Sequence, residues 1–588
     1  MGRLIFIIMK KVLLLLLVNF IVLGYSQNIA IKPRLNSSEN ERQPQFQNVV
    51  QNNPNQTLPY PIIFIHGLDS NSDVWIDLGA QLMVSGLNYG GRLDFCLNDD
   101  GNNNVANKLV YPTSNADIAL YTDYINNLSV GDFYFLNFDV NNIGELFPSN
   151  DGSAFNDVLS NESAIVKQGI AVKLAIQIVL QKTGRDKVIL MGHSMGGLAS
   201  REYIQNPLNW QLDGQHHVAK LVTTGTPHGG FTGVDLSPTI NSRSEAFRDL
   251  KKNYVHGGNG VYLFGGVENY PTMLNNLLYT FYNVDVNCNG LDGDNSNIIG
   301  LNNKGWITNI DYAYIVGMCS NCSSLYPGMP GDGIVKDIDA DLSNFTNFLP
   351  LPINEFIYTA NALNPVFGLH SDLPKAVPVS FKGLDEPNEY NLSYAVNLNQ
   401  TYTGFITEQP VGGYPSDYDD YKINITSNGS YTIIINNSYY NSISYRILDS
   451  SFNILSTNTI SANSQNSFQH NLTTGIYYIE FISSGNLSSY NYPYTFLIQN
   501  TLSNDDNLMQ TELKAYPNPF TNQITIEAKE AIYKVEIYNL LGQKVKEIEI
   551  KNPTESLVNI DLSGLAQGNY IAKVSSELLT NTIKLIKN

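Results

Sequence analysis

Apolar and polar positions along the chain fall into three textures. From residue 59, short, mostly apolar runs alternate with longer stretches of helical spacing. Ile62-Ile63-Phe64-Ile65 and the segments 133–138, 187–191, 218–222 and 312–316 are such runs, the pattern of strands buried on both faces. Residues 164–180 carry apolar positions at helical spacing, with Ser160 or Asn161 placed to cap the start and Gly184 to end it. Strands alternating with helices predict a mostly parallel sheet with helices on both faces over 59–383. Beyond 384 the helical patterns stop. Alternating runs at 421–425, 431–435, 444–448, 475–481 and 494–498, with Asn-Gly and Ser-Gly turns among them, predict a small β-sandwich over 395–500. A polar gap then leads to a second all-β segment over 513–588.

The beginning of the chain reads differently. Lys10 and Lys11 precede an apolar stretch over 12–24, and Ser26 and Gln27 follow. This layout predicts a cleaved signal peptide over 1–26, with Met9 as an alternative start. Two lysines inside the apolar length disfavour a membrane anchor. Residues 27–58, rich in Asn, Gln, Pro and Ser, read as a linker.

Composition narrows the partners. A net charge of -19 and a pI of about 4.8 repel phosphate backbones, so nucleic acid is not an expected partner. Cys96, Cys288, Cys319 and Cys322 are expected in disulfides if the chain is exported. Cys319-Ser320-Asn321-Cys322 lacks a second ligand pair at matching spacing, so zinc is not expected there.

The candidate chemistry centres on Gly192-His193-Ser194-Met195-Gly196, a G-x-S-x-G string between a buried strand ending at Met191 and a helix expected to begin near Gly197. A strand–turn–helix with glycines at the turn leaves a serine hydroxyl exposed, as a nucleophile requires. His66-Gly67-Leu68 follows the first buried strand. Its turn makes the Leu68 amide a candidate oxyanion donor beside that of Met195, with His66 structural. The chain order Ser, acid, His selects from 8 histidines. His370 alone lies late in the α/β segment over 59–383, as a general base should. Asp332, between Gly331 and Gly333, is the candidate acid, with Asp337, Asp339 and Asp341 as rivals. Ser194 would attack an acyl carbonyl, His370 would take its proton, and Asp332 would hold the imidazole.

Phe64-Ile65-His66-Gly67-Leu68, Gly192-His193-Ser194-Met195-Gly196-Gly197, Thr226-Pro227-His228-Gly229-Gly230 and Asp332-Gly333-Ile334-Val335 resemble secreted triacylglycerol lipases and the PGAP-type, GPI-inositol-deacylase-like serine esterases. The resemblance implies an α/β-hydrolase fold followed by two all-β domains, an ester hydrolase activity on an acyl ester or lipid, and no required cofactor. It also implies a lid in the insertion over 231–309. His370-Ser371-Asp372 resembles the lipase stretch in which an Asp two residues beyond the catalytic histidine binds calcium, which marks Asp372 as a Ca²⁺ ligand by resemblance. An amidase or acyltransferase on the same triad, or a surface-binding protein on an inactive hydrolase fold, are the alternative readings.

Tyr402-Thr403-Gly404-Phe405-Ile406, Asp417-Tyr418-Asp419-Asp420-Tyr421-Lys422-Ile423 and Leu472-Thr473-Thr474-Gly475-Ile476-Tyr477-Tyr478-Ile479 resemble the pre-peptidase C-terminal β-sandwich of secreted bacterial enzymes. Tyr516-Pro517-Asn518-Pro519-Phe520, Val535-Glu536-Ile537-Tyr538-Asn539-Leu540-Leu541-Gly542, Leu562-Ser563-Gly564-Leu565-Ala566-Gln567-Gly568-Asn569-Tyr570 and a tail with Lys584 and Lys587 resemble the type A sorting domain of the type IX secretion system. That resemblance implies a Bacteroidetes-type bacterium, the type IX machinery as partner, and a secreted or cell-surface destination.

Overall fold

A computed structural model describes residues 56–97, 128–140, 160–163, 165–231, 301–319, 330–346, 353–359, 368–407, 417–483, 493–500, 514–528, 531–539, 543–550, 556–576 and 580–588. It also describes the short pieces 30–32, 119–121, 246, 250, 267–268 and 298–299. The expected signal peptide, most of the expected lid, Cys288 and Cys322 lie outside the described residues.

The chain divides into two compact units. One comprises Met1–Thr426, Ile433–Ser467 and Thr474–Ile498; the other comprises Ser427–Thr432, Phe468–Thr473 and Gln499–Asn588. The first is built on a nine-stranded sheet. Its order is Ala30–Lys32, Ala119–Tyr121, Tyr89–Cys96, Phe133–Asn137, Ile62–Ile65, Val188–His193, Val218–Thr224, Asp311–Met318, Ile353–Thr359. From Tyr89–Cys96 onward all neighbours pair in parallel. This is the α/β-hydrolase sheet.

Strand alternation sends the two faces of Ile62–Ile65 to different helices. Ile63 and Ile65 join a core with Ile176 and Val179 of helix Ile165–Thr183 and Leu198 of helix Met195–Gln205. On the other face Phe64 meets Trp75 at 5.1 Å between ring centroids. Ile62 lines a cavity with Leu82 of helix Ile76–Val84 and Phe381 of helix Val377–Leu384.

The helix expected over 164–180 is present as Ile165–Thr183, and Gly184 ends it at φ +69°. Its expected cap is a correction. Ser160 and Asn161 form a 3-10 turn, and the Ser160 hydroxyl accepts the Leu97 amide and donates to the Phe95 carbonyl. It ties down the strand Tyr89–Cys96 instead of the helix.

Two five-stranded sheets form the β-sandwich. Docking to the hydrolase part runs through specific contacts. The Ala395 amide donates to the Tyr60 hydroxyl at 3.0 Å, Tyr60 and Tyr394 meet edge to face, and Phe381 packs on Phe405. Gln56–Thr57, at the end of the range read as linker, pairs in parallel with Thr401 and Tyr402. The C-terminal segment holds a three-stranded and a four-stranded sheet around a core that includes Phe520, Ile526, Val535, Ile560 and Leu585. Lys587, expected in a basic tail, is buried there and its ammonium donates to the carbonyls of Leu562 and Ser563.

The disulfide expectation needs one correction. Cys96 is buried in the sheet and is in no disulfide, whereas Cys319 is disulfide-bonded. A free thiol inside a close-packed core behaves as a small apolar side chain.

Candidate active site

Ser194 stands where strand Val188–His193 ends and helix Met195–Gln205 begins, at φ +52° and ψ -125°. A non-glycine residue there costs on the order of 1–3 kcal/mol and persists only when its surroundings enforce it. The enforcement is visible. The Ser194 amide donates to the Thr224 carbonyl on the next strand, and the Gly197 amide donates back to the Ser194 carbonyl. Gly196 lets the helix start close against the first strand, since a Cβ there would lie 2.5 Å from the carbonyl oxygens of Ile65 and His66. The helix starts at Met195, two residues earlier than the glycines suggest. The amides of Met195 and Gly196, ahead of the Gly197 bond, have no carbonyl one turn back to donate to, as helix geometry requires.

Leu68 follows this contact and packs against the core. His66 is buried; its Nε2 accepts the Phe138 amide at 2.9 Å, and its Nδ1 lies 2.8 Å from the Gly67 carbonyl. A carbonyl only accepts, so Nδ1 carries the proton. Burial lowers the ring to about 4, and a neutral His66 braces the turn.

The structure brings Asp332 and His370 together. His370 Nδ1 lies 2.7 Å from Asp332 Oδ2, with both residues buried. The other carboxylate oxygen, Oδ1, accepts the amides of Ile334 at 3.0 Å and Val335 at 2.7 Å. Such an aspartate is acceptor-only and fixed in rotation, so it selects the tautomer in which His370 Nε2 is free of hydrogen. Of the rivals, the Asp337 carboxylate binds the Ile338 amide and that of Asp341 binds Ser343. The Asp339 side chain lies beside Gly229.

His193 was read from sequence only as a neighbour of the serine. Its Nε2 lies 2.9 Å from the His370 carbonyl oxygen, and the two rings stand 4.7 Å apart. Burial, then the adjacent His370, holds it well below the ordinary imidazole value. Arg201 was also missed. It is fully buried, donating to Gln205 and Asn302 and lying 3.1 Å from His228 Nδ1, with no ion pair to a carboxylate among the described residues. Burial brings it down to about 9. It ties the loop after strand Val218–Thr224 to residues 301–306, where the long insertion rejoins the sheet.

Asp372 is half-buried in the 3-10 turn His370–Lys375. Among the described residues, the carboxylates close enough to share a cation lie elsewhere. Asp385, Asp417 and Asp419 bring oxygens within 4.8 Å of one another at the root of the sandwich. Burial first, and then their mutual repulsion, pushes Asp385 and Asp419 well above the usual carboxylate range.

Residues 57–232 match the PGAP1-like alpha/beta domain. Residues 514–588 match the secretion system C-terminal sorting domain. The hydrolase segment is thus PGAP1-like, and the sorting domain marks the chain for type IX export to the cell surface or outside. Among solved structures, a gene product of Listeria innocua is 15% identical, covering 56% of this chain and 95% of that one at a TM-score of 0.29. A lipase-esterase related protein from Clostridium acetobutylicum is 12% identical, covering 55% and 92% at a TM-score of 0.23. The pre-peptidase C-terminal domain of a Bacillus anthracis collagenase is 20% identical, covering 20% and 99% at a TM-score of 0.16. No curated protein matches the chain.

Proposed function

We propose that this protein is a secreted serine hydrolase that cleaves carboxylic esters, of acyl or lipid type, through Ser194, His370 and Asp332. The observation that carries the reading is the pair His370 and Asp332 at 2.7 Å; it is supported by Ser194 being held at a positive-φ strand-to-helix turn. His193, chain-adjacent to Ser194 and in contact with His370, links the two halves of the site.

In the proposed cycle Ser194 Oγ attacks the acyl carbonyl while His370 Nε2 takes its proton. Asp332 stabilises the imidazolium without being protonated itself. The amides of Met195 and Leu68 receive the oxyanion; one such donor is worth about 10²–10³ in rate. His370 then protonates the leaving alcohol, and water, deprotonated by the same imidazole, releases the acid.

The test is hydrolysis of p-nitrophenyl esters from acetate to palmitate by the full chain, wild type against Ser194→Ala, with and without EDTA. Turnover lost in the variant is expected. Full activity in Ser194→Ala would refute the serine mechanism. The chain-length profile separates esterase from lipase, and EDTA sensitivity would bear on calcium at Asp372.

A further inference from the structure

His370 is held from three sides, and only two of the holds come from Asp332. Its amide donates to the Asp332 carbonyl at 3.0 Å, and its Nδ1 meets the Asp332 carboxylate at 2.7 Å. The third hold is at its own carbonyl oxygen, 2.9 Å from His193 Nε2. A carbonyl can only accept, so His193 must carry its proton on Nε2. Its Nδ1 is then a bare lone pair. It is buried and has no hydrogen-bond partner among the described residues. A buried acceptor left unsatisfied carries a penalty, so the ring is turned to serve the Nε2–H donation to the His370 carbonyl at the expense of Nδ1. Trp75 closes on the same ring edge to face at 6.4 Å, and the His370 ring lies tilted against it at 43°.

We propose that His193 is a positioning residue for His370, fixing the main chain of the general base through its Nε2–H and the plane of the base through ring contact. The inference rests on the reading of His370 as the general base of Ser194. Because His193 directly precedes Ser194, one side chain ties the nucleophile's turn to the loop that delivers the base. These loops are 176 residues apart in sequence, and among the described residues no strand pairing joins them directly. A base displaced by about 1 Å loses about 10²-fold in rate. His193 stays uncharged while His370 cycles, since burial and the neighbouring imidazole both disfavour a cation there. It holds the base without competing for its proton.

The experiment compares His193→Gln, whose amide N–H can replace Nε2–H, with His193→Phe, which keeps a ring and loses the donor. Both are made in the full chain. Steady-state kinetics on a p-nitrophenyl ester should show kcat down about 10²-fold in His193→Phe with KM changed less than about twofold. His193→Gln should keep kcat within about fivefold. The low-field proton resonance of His370 Nδ1–H should be sharp in wild type and His193→Gln and broadened in His193→Phe. Wild-type kcat and a sharp resonance in His193→Phe would overturn the proposal. So would a folded His193→Gln as impaired as the Phe variant. The resonance needs no turnover, so it still reads the hold on His370 if Ser194→Ala shows the ester-hydrolase reading itself to be wrong.

Discussion

Asp332 and His370 are joined twice, once through the side chains at 2.7 Å and once through the main chain, where the His370 amide donates to the Asp332 carbonyl at 3.0 Å. Replacing the carboxylate therefore need not move the loop. In Asp332→Asn, Oδ1 can still accept the Ile334 and Val335 amides, while an NH₂ group would face Nδ1 and favour the wrong tautomer. We expect kcat to fall by about 10⁴ with little change in Tm, checked by ester kinetics and thermal melts on the same preparation.

Gly225 lies behind this pair at φ +56°. A Cβ there would sit 2.6 Å from Leu373 Cδ1, 3.0 Å from Asp332 Oδ2 and 3.1 Å from His370 Nδ1. Gly225→Ala is thus both strained and intrusive. A stability loss of about 1–3 kcal/mol is expected, with a fall in kcat larger than stability explains. Activity measured well below the melting temperature separates the two effects; unchanged kcat would contradict the packing described.

Lys220 is buried in the sheet, with its ammonium 2.7 Å from Asp311 and 2.6 Å from the Asp385 carbonyl. Lys220→Met strands the Asp311 carboxylate and should cost about 3–5 kcal/mol. The double change Lys220→Met with Asp311→Leu should recover most of it. Chemical denaturation of the three variants measures this directly, and a double variant no better than the single one would count against the ion pair as the cause.

Several buried carboxyls predict the pH dependence of stability. Asp132 is raised to about 6, Asp139 and Glu386 to about 7 and Asp420 to about 8, each chiefly by burial. The folded state binds these protons more tightly than the unfolded chain. Their contribution is complete below the unfolded carboxyl range and is lost as pH rises through the folded values. The Tm should therefore decline between about pH 4 and 8, and level off above the highest folded value. Asp139→Asn should flatten part of that decline, and a Tm that rises across the window would reverse the sign.

Much of this molecule was legible in the chain, for a physical reason. Strands buried on both faces favour apolar runs: Ile62–Ile65 and the first four residues of Val188–His193 have them, and Val218–Thr224 keeps the pattern to Val222 except for Lys220, whose charge Asp311 meets. Tyr89–Cys96 was not legible, because Gly90, Gly91, Arg92 and Asp94 break its run. Only the fold shows Arg92 and Asp94 neutralising each other at 3.0 Å inside the core. Ile353–Thr359 has one neighbour and an interrupted pattern, as an outer strand can. In the candidate site, the G-x-S-x-G string between a strand and a helix points to Ser194, chain order to His370, and the flanking glycines to Asp332. The contact between His193 and the His370 carbonyl could not be read, since it joins a side chain to a main-chain atom and leaves no mark in residue type. Arg201 escaped for a related reason: its partners are neutral, and charge patterning searches for opposite signs.

The strand Gln56–Thr57 pairs with Thr401 and Tyr402 in the sandwich before the chain enters the hydrolase sheet at Ile62. The sandwich is thus completed by residues lying upstream of the enzyme it follows. Shuffling such a module between proteins as a C-terminal cassette would leave a strand position vacant in the donor piece and an unmatched segment on the recipient. The heritable unit is the pair.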